Sequence, residues 1–152
     1  MEKQSKKILE SEQGAYVTIN GKEYLNLCSN NYLGLASDAR VKEATIAAIK
    51  EYGVGTTSVR SLAGTHQLHL TLEQELANFN KTEDALVLTG GYITNLAVMQ
   101  TLLGKEDIVI SDAFNHASII DAIKLSQVQH RFIYNHNDLD HLRTILPAIN
   151  EL

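Results

Sequence analysis

Tryptophan is absent from this chain of 152 residues, and cysteine and proline occur once each. The single cysteine, Cys28, excludes an internal disulfide framework and suits a reducing, cytoplasmic compartment. Basic residues are in the minority: 13 Lys and Arg against 18 Asp and Glu leave a formal charge of −5. That balance argues against nucleic acid as a partner, because phosphate-backbone binding needs a concentrated basic surface. No apolar run approaches the roughly 20 residues that span a bilayer. The opening Met1-Glu2-Lys3-Gln4-Ser5-Lys6-Lys7 lacks the apolar core of a signal peptide, so no membrane association is expected. Polar low-complexity sequence is also scarce, which argues against disorder. Hydrophobic residues make up 44% of a length that suits one globular domain.

Two rhythms divide the chain. Lys3 to Glu10 reads as a short polar helix, broken by Gly14. Tyr16-Val17-Thr18-Ile19 alternates as a half-buried strand does, and Asn20-Gly21 is a strong hairpin signal because both central residues of a type I′ turn need positive φ. Residues 14–28 therefore read as a β-hairpin, with Cys28 inside its second strand and packed in the core. From Ala39 helices and strands alternate. Asp38 caps a helix to about Tyr52, with Val41, Ala44, Ala48 and Ile49 on its apolar side. Residues 53–58 form a glycine-rich loop, and a second helix runs from about Thr65 to Phe79. Short apolar strands follow at 85–88, 108–110 and 131–134, separated by helices at 92–103 and 116–126. The strand starts recur at roughly 23 residues, as βαβ units require, so a parallel α/β sheet is expected. A last helix starts after Asp138.

Two strand ends carry candidate chemistry. Thr89-Gly90-Gly91-Tyr92 follows the apolar Leu86-Val87-Leu88 and opens a helix, where parallel sheets place their ligands. Glycine there lets backbone N–H groups approach an anion, and the helix end adds its dipole. Steric demands of the turn alone would equally select glycine. Ser111-Asp112 through His116 repeats the geometry one strand later. A helix N-terminus disfavours imidazolium, so His116 reads as a neutral ring that stacks or hydrogen-bonds, or as a simple capping histidine. His66 and His69 share a helix face without the carboxylate or cysteine of a metal set, so no metal is expected. Asp138 is most simply an N-cap, and Lys6-Lys7 a solvated face.

Taken in order, Asn30-Asn31-Tyr32-Leu33-Gly34-Leu35-Ala36, Gly53-Val54-Gly55, Ser61-Leu62-Ala63-Gly64-Thr65-His66, Thr89-Gly90-Gly91-Tyr92 and Ser111-Asp112 to Asp121 resemble the α-oxoamine synthases over nearly the whole chain. These are pyridoxal-phosphate (PLP) acyltransferases, and the motifs look most like their glycine C-acetyltransferase and 8-amino-7-oxononanoate synthase branches. The resemblance implies the aspartate-aminotransferase-like α/β fold (fold type I), with 1–37 as an N-terminal segment and 38–152 as the first part of the large domain. It also implies a homodimer, an acyl-CoA substrate and an amino acid, with glycine suiting the motifs. Gly91 and Tyr92 fall where the family binds the cofactor phosphate. His116 matches the histidine stacked on the pyridine ring and facing substrate. Asn30 matches the asparagine that contacts the substrate carboxylate, with Asn31 one residue away. Thr57 or Ser58 falls in a region near substrate and the dimer interface.

The family's Schiff-base lysine and its pyridinium-pairing aspartate lie downstream of the histidine turn, and no lysine here stands in a matching context. No catalytic residue is therefore expected in this chain, and alone it should be inactive. A truncated parallel sheet should also leave apolar faces bare and favour self-association. The rival expectation is a non-catalytic remnant, or half of a split protein, that binds phosphate ligands or partner chains. An unrelated nucleotide-binding domain is a third.

Overall fold

A computed structural model describes residues 6–149. Contacts group the chain into two compact units, Met1–His66 and Gln67–Leu152.

In the first unit, β1 (Tyr16–Ile19) and β2 (Lys22–Leu25) pair antiparallel in the register Tyr16↔Leu25 to Ile19↔Lys22. The turn is the one the sequence calls for: Asn20 and Gly21 both sit at positive φ, 50° and 68°. Cys28 lies beyond β2 and is exposed, contrary to the expected core strand. The cause is local, since its N–H is turned to the Asn26 side chain (3.2 Å) and leaves the ladder. The polar helix expected over 3–10 also fails. Residues 3–5 lie outside the described residues, and 6–10 are irregular. Glu10 instead runs beside the hairpin, donating its N–H to Thr18 O and accepting the Gly21 N–H on Oε2. Those sheet contacts replace the bonds a helix would have made with itself.

Helix α1 (Ala39–Tyr52) begins where Asp38 accepts the Arg40 N–H at 2.8 Å and ends at Gly53, whose φ of 80° glycine adopts freely. Its apolar positions Val41 and Ile49 remain 44% and 45% exposed, so the stripe read from the sequence does not form a core. Within the unit Val17 is the buried hydrophobic side chain among the described residues. Residues 60–64 then make one wide helical turn, and His66 meets Tyr52 edge-on at 4.7 Å.

The second unit starts with α2 (Gln67–Asn80), two residues later than expected. Residues 85–88, read from the sequence as a strand, join neither two-stranded sheet. A strand exists only through a neighbour's ladder, and here the Val87 N–H goes to the Glu73 carboxylate of α2 at 2.8 Å. Helix α3 (Gly91–Leu102), β3 (Ile108–Asp112), α4 (Ala117–Leu125), β4 (His130–Tyr134) and α5 (Leu139–Ile149) follow. β3 and β4 pair in parallel from Ile108↔His130 to Asp112↔Tyr134, the βαβ arrangement that the strand spacing demands. Its core is Ala122 and Ile123 of α4 with Val128 before β4, and Ala77 is buried in α2. Asp138 caps α5 as expected, accepting the His141 N–H at 2.8 Å.

Candidate functional site

The first site element is the start of α3. The earliest helical bond here runs from Thr94 N–H to Gly90 O, so the N–H groups of Gly91, Tyr92 and Ile93 precede the ladder. A Cβ placed on Gly90 or Gly91 would meet nothing within 4 Å, so the space over this helix end is open. Open space, converging amides and the positive end of a helix dipole suit a phosphate monoester. Tyr92 is fixed by its own bond, from its hydroxyl to Asp121 Oδ2 of α4 at 2.7 Å. That carboxylate pushes the phenol's pKa above its ordinary value, so Tyr92 stays a protonated donor.

The second element is the turn from β3 to α4. Asp112 ends β3 and accepts the N–H groups of Asn137 (3.0 Å) and Phe114 (2.7 Å) and a bond with His136 Nδ1 (2.9 Å). Those bonds, the Asn137 amide foremost, hold the Asp112 carboxyl down to about 2. Phe114 stacks on the His136 ring at 4.9 Å, so the turn after β3 is clamped to the turn after β4. Asn115 reaches back to Ser111 Oγ at 2.9 Å. His116 then caps α4, its Nδ1 accepting the Ser118 N–H at 3.2 Å and lying 2.7 Å from Ser118 Oγ. Asn95 Nδ2 of α3 reaches the same hydroxyl at 2.8 Å.

Thus Gly91, Tyr92 and His116 come together on two helix N-termini that are linked side chain to side chain. Asn30 belongs to the other unit, where it is exposed, with the Tyr32 hydroxyl at the outer limit of bonding, 3.5 Å. Its neighbour Asn31 is occupied locally, donating to Gln13 O and accepting the Ala36 N–H. Thr57 takes positive φ, 50°, and Ser58 O approaches Gly64 closely. Asn95 lies outside the strand-end motifs, and Ser118 and Asp121, though within the Ser111-to-Asp121 motif, carry no role read from the sequence. Their signal was polar side chains on otherwise apolar helices, at i, i+3 spacing in both α3 (Tyr92, Asn95) and α4 (Ser118, Asp121).

Against known proteins, residues 22–151 match the family model for aminotransferase class I and II. The chain belongs to that family. An 8-amino-7-oxononanoate synthase from Petrotoga mobilis is 52% identical over 134 residues, covering 88% of this chain and 34% of the relative. Another, from Exiguobacterium sibiricum, is 54% identical over 143 residues, covering 94% and 36%. Among solved structures, a serine palmitoyltransferase from S. paucimobilis with PLP and myriocin bound superposes with a TM-score of 0.87 at 34% identity, over 93% of this chain and 36% of that one. An 8-amino-7-oxononanoate synthase from Francisella tularensis gives 0.66 at 33% identity, over 78% and 32%. The chain spans about a third of the length of the curated relatives it matches. Within the aminotransferase class I and II family, this likeness fits the α-oxoamine synthases that the motifs resemble.

Proposed function

We propose that this chain supplies the phosphate cradle, the ring-facing histidine and the substrate-carboxylate contact of a PLP-dependent acyltransferase that condenses an amino acid with an acyl-CoA. The observation that carries the reading is the pairing of the open Gly90-Gly91 helix end with His116 on a linked helix. Bound there, PLP would act as an electron sink for the amino acid. The Gly91 and Tyr92 amides hold the phosphate, while Asp121 anchors the Tyr92 hydroxyl. His116 presents a neutral ring, its Nδ1 occupied by residue 118. Asn30 takes the amino-acid carboxylate, a role supported over Asn31 because the Asn31 side chain is already spent on its loop.

The relatives' names favour a reaction of the 8-amino-7-oxononanoate synthase type, with glycine condensation as the second reading within the family. The working enzyme is a cytoplasmic homodimer in this proposal, and the 152-residue chain alone does not turn over, since none of its lysines occupies the family's Schiff-base context. One titration tests this. PLP is added to the chain, borohydride follows, and modified lysines are mapped by mass; CoA release is assayed with glycine and other amino acids plus an acyl-CoA. The expected result is phosphate-dependent binding without a singly labelled lysine and without CoA release. A single fixed lysine, or CoA release by the chain alone, contradicts the proposal.

A further inference from the structure

The direction of the hydrogen bonds around Ser118 can be worked out from one fixed donor. The Ser118 backbone N–H can only donate, and it points at His116 Nδ1 from 3.2 Å. Nδ1 must therefore be the bare nitrogen, which puts the proton of the neutral ring on Nε2. The Ser118 hydroxyl, 2.7 Å from the same Nδ1, must then be a donor to it as well. Its lone pairs face Asn95, whose side chain at 2.8 Å must present its NH₂ group. Every proton in the series Asn95, Ser118, His116 is thereby assigned without reference to the amide's nominal orientation. Ser118 is fully buried, so water does not compete for the hydroxyl.

We propose that Asn95 and Ser118 are positioning residues for His116. Asn95 orients the Ser118 hydroxyl, and the hydroxyl reinforces the tautomer set by the Ser118 backbone N–H and fixes the angle of the imidazole. The inference rests on the reading above, in which His116 faces the cofactor ring. Its consequence is that His116 is referenced to α3, the helix whose N-terminus carries the phosphate cradle, as well as to its own turn. Cradle and ring are then set by one helix pair, with Tyr92 to Asp121 as the second link between the same two helices.

The test is nitrogen NMR on the full 152-residue chain carrying ¹⁵N-histidine, near pH 8, above the ordinary imidazole pKa of about 6.5. Wild type should show His116 with a protonated Nε2 and a hydrogen-bonded acceptor at Nδ1. In Ser118→Ala, which keeps the backbone donor but loses the hydroxyl, the Nδ1 resonance should move downfield toward an unbonded acceptor. Asn95→Ala should move it the same way by less. His130 and His141 serve as folding controls, and their resonances should stay in place. A protonated Nδ1 in wild type overturns the proposal, and that result needs no variant to fold. An Nδ1 signal unmoved by Ser118→Ala overturns it too. Adding PLP to these samples and to the uniformly ¹⁵N-labelled chain separates this from the underlying reading: normal Nδ1 behaviour with no response of the Gly91 amide would sink the cofactor assignment and leave the relay standing.

Discussion

The hairpin of residues 16–25 and the β3–α4–β4 unit of residues 108–134 reach order by different routes. The hairpin is specified by its turn. Asn20 and Gly21 accept the positive φ of a type I′ connection and so fix the whole register, yet Tyr16, Tyr24 and Leu25 remain 59%, 49% and 58% exposed. The βαβ unit has no such local instruction between its strands. It is held by Ala122, Ile123 and Val128, all nearly inaccessible, and by buried Ser111, Ser118 and Ser126 with satisfied hydroxyls. Local turn chemistry can thus set a register without a core, whereas this parallel pair of strand ends is held by nonlocal packing.

The largest effect that sharpens this contrast is outside both regions. At Gly64 a Cβ would stand 2.1 Å from Ser58 O and 2.6 Å from its carbonyl carbon, both backbone. Gly64→Ala should therefore cost about 3 kcal/mol, read by denaturant unfolding. Next, Val128→Ala should cost about 2 kcal/mol by emptying the βαβ core, whereas Tyr24→Ala on the exposed hairpin face should cost less than half of that. Equal losses would erase the distinction between the two regions. Gly21→Ala, open in space but at φ 68°, should cost about 1 kcal/mol through backbone strain alone and should spare the βαβ unit in amide exchange.

The smallest effect concerns pH. The folded Asp112 carboxyl, held near 2, lies below its ordinary value of 3.8. A depressed carboxyl stabilises the fold above its unfolded pKa, and that contribution is lost as pH falls from about 4 towards 2. Asp112→Asn should flatten this part of the acid-unfolding curve. An unchanged curve would mean that the clamp joining the turns after β3 and β4 carries no weight.

Much of this was legible in the sequence, and the failures share a cause. Asn20-Gly21, the Asp38 and Asp138 caps and the parallel βαβ spacing are local signals, and each appears where it was read. Residues 85–88 form no strand because apolar composition does not supply a ladder partner, and Val87 turns to Glu73. Of the helix expected over 3–10, the described residues 6–10 are irregular because a short polar stretch cannot compete with the hairpin edge that Glu10 joins. At the site, glycine and histidine at strand ends were visible, but the side chains that orient them were not. Asn95 and Ser118 are 23 residues apart and become partners only when α3 meets α4. The Asp112 clamp likewise joins residues that no local pattern links.

The central claim, that the α3 N-terminus with His116 beside it receives the PLP phosphate, is tested most directly by amide NMR of the 152-residue chain. PLP and inorganic phosphate would be titrated in parallel. Saturable shifts centred on Gly91, Tyr92 and Ile93 with both ligands, joined by His116 ring signals with PLP only, are the predicted outcome. Shifts that leave those amides unmoved, or that scatter over lysine-rich surface, would contradict the account.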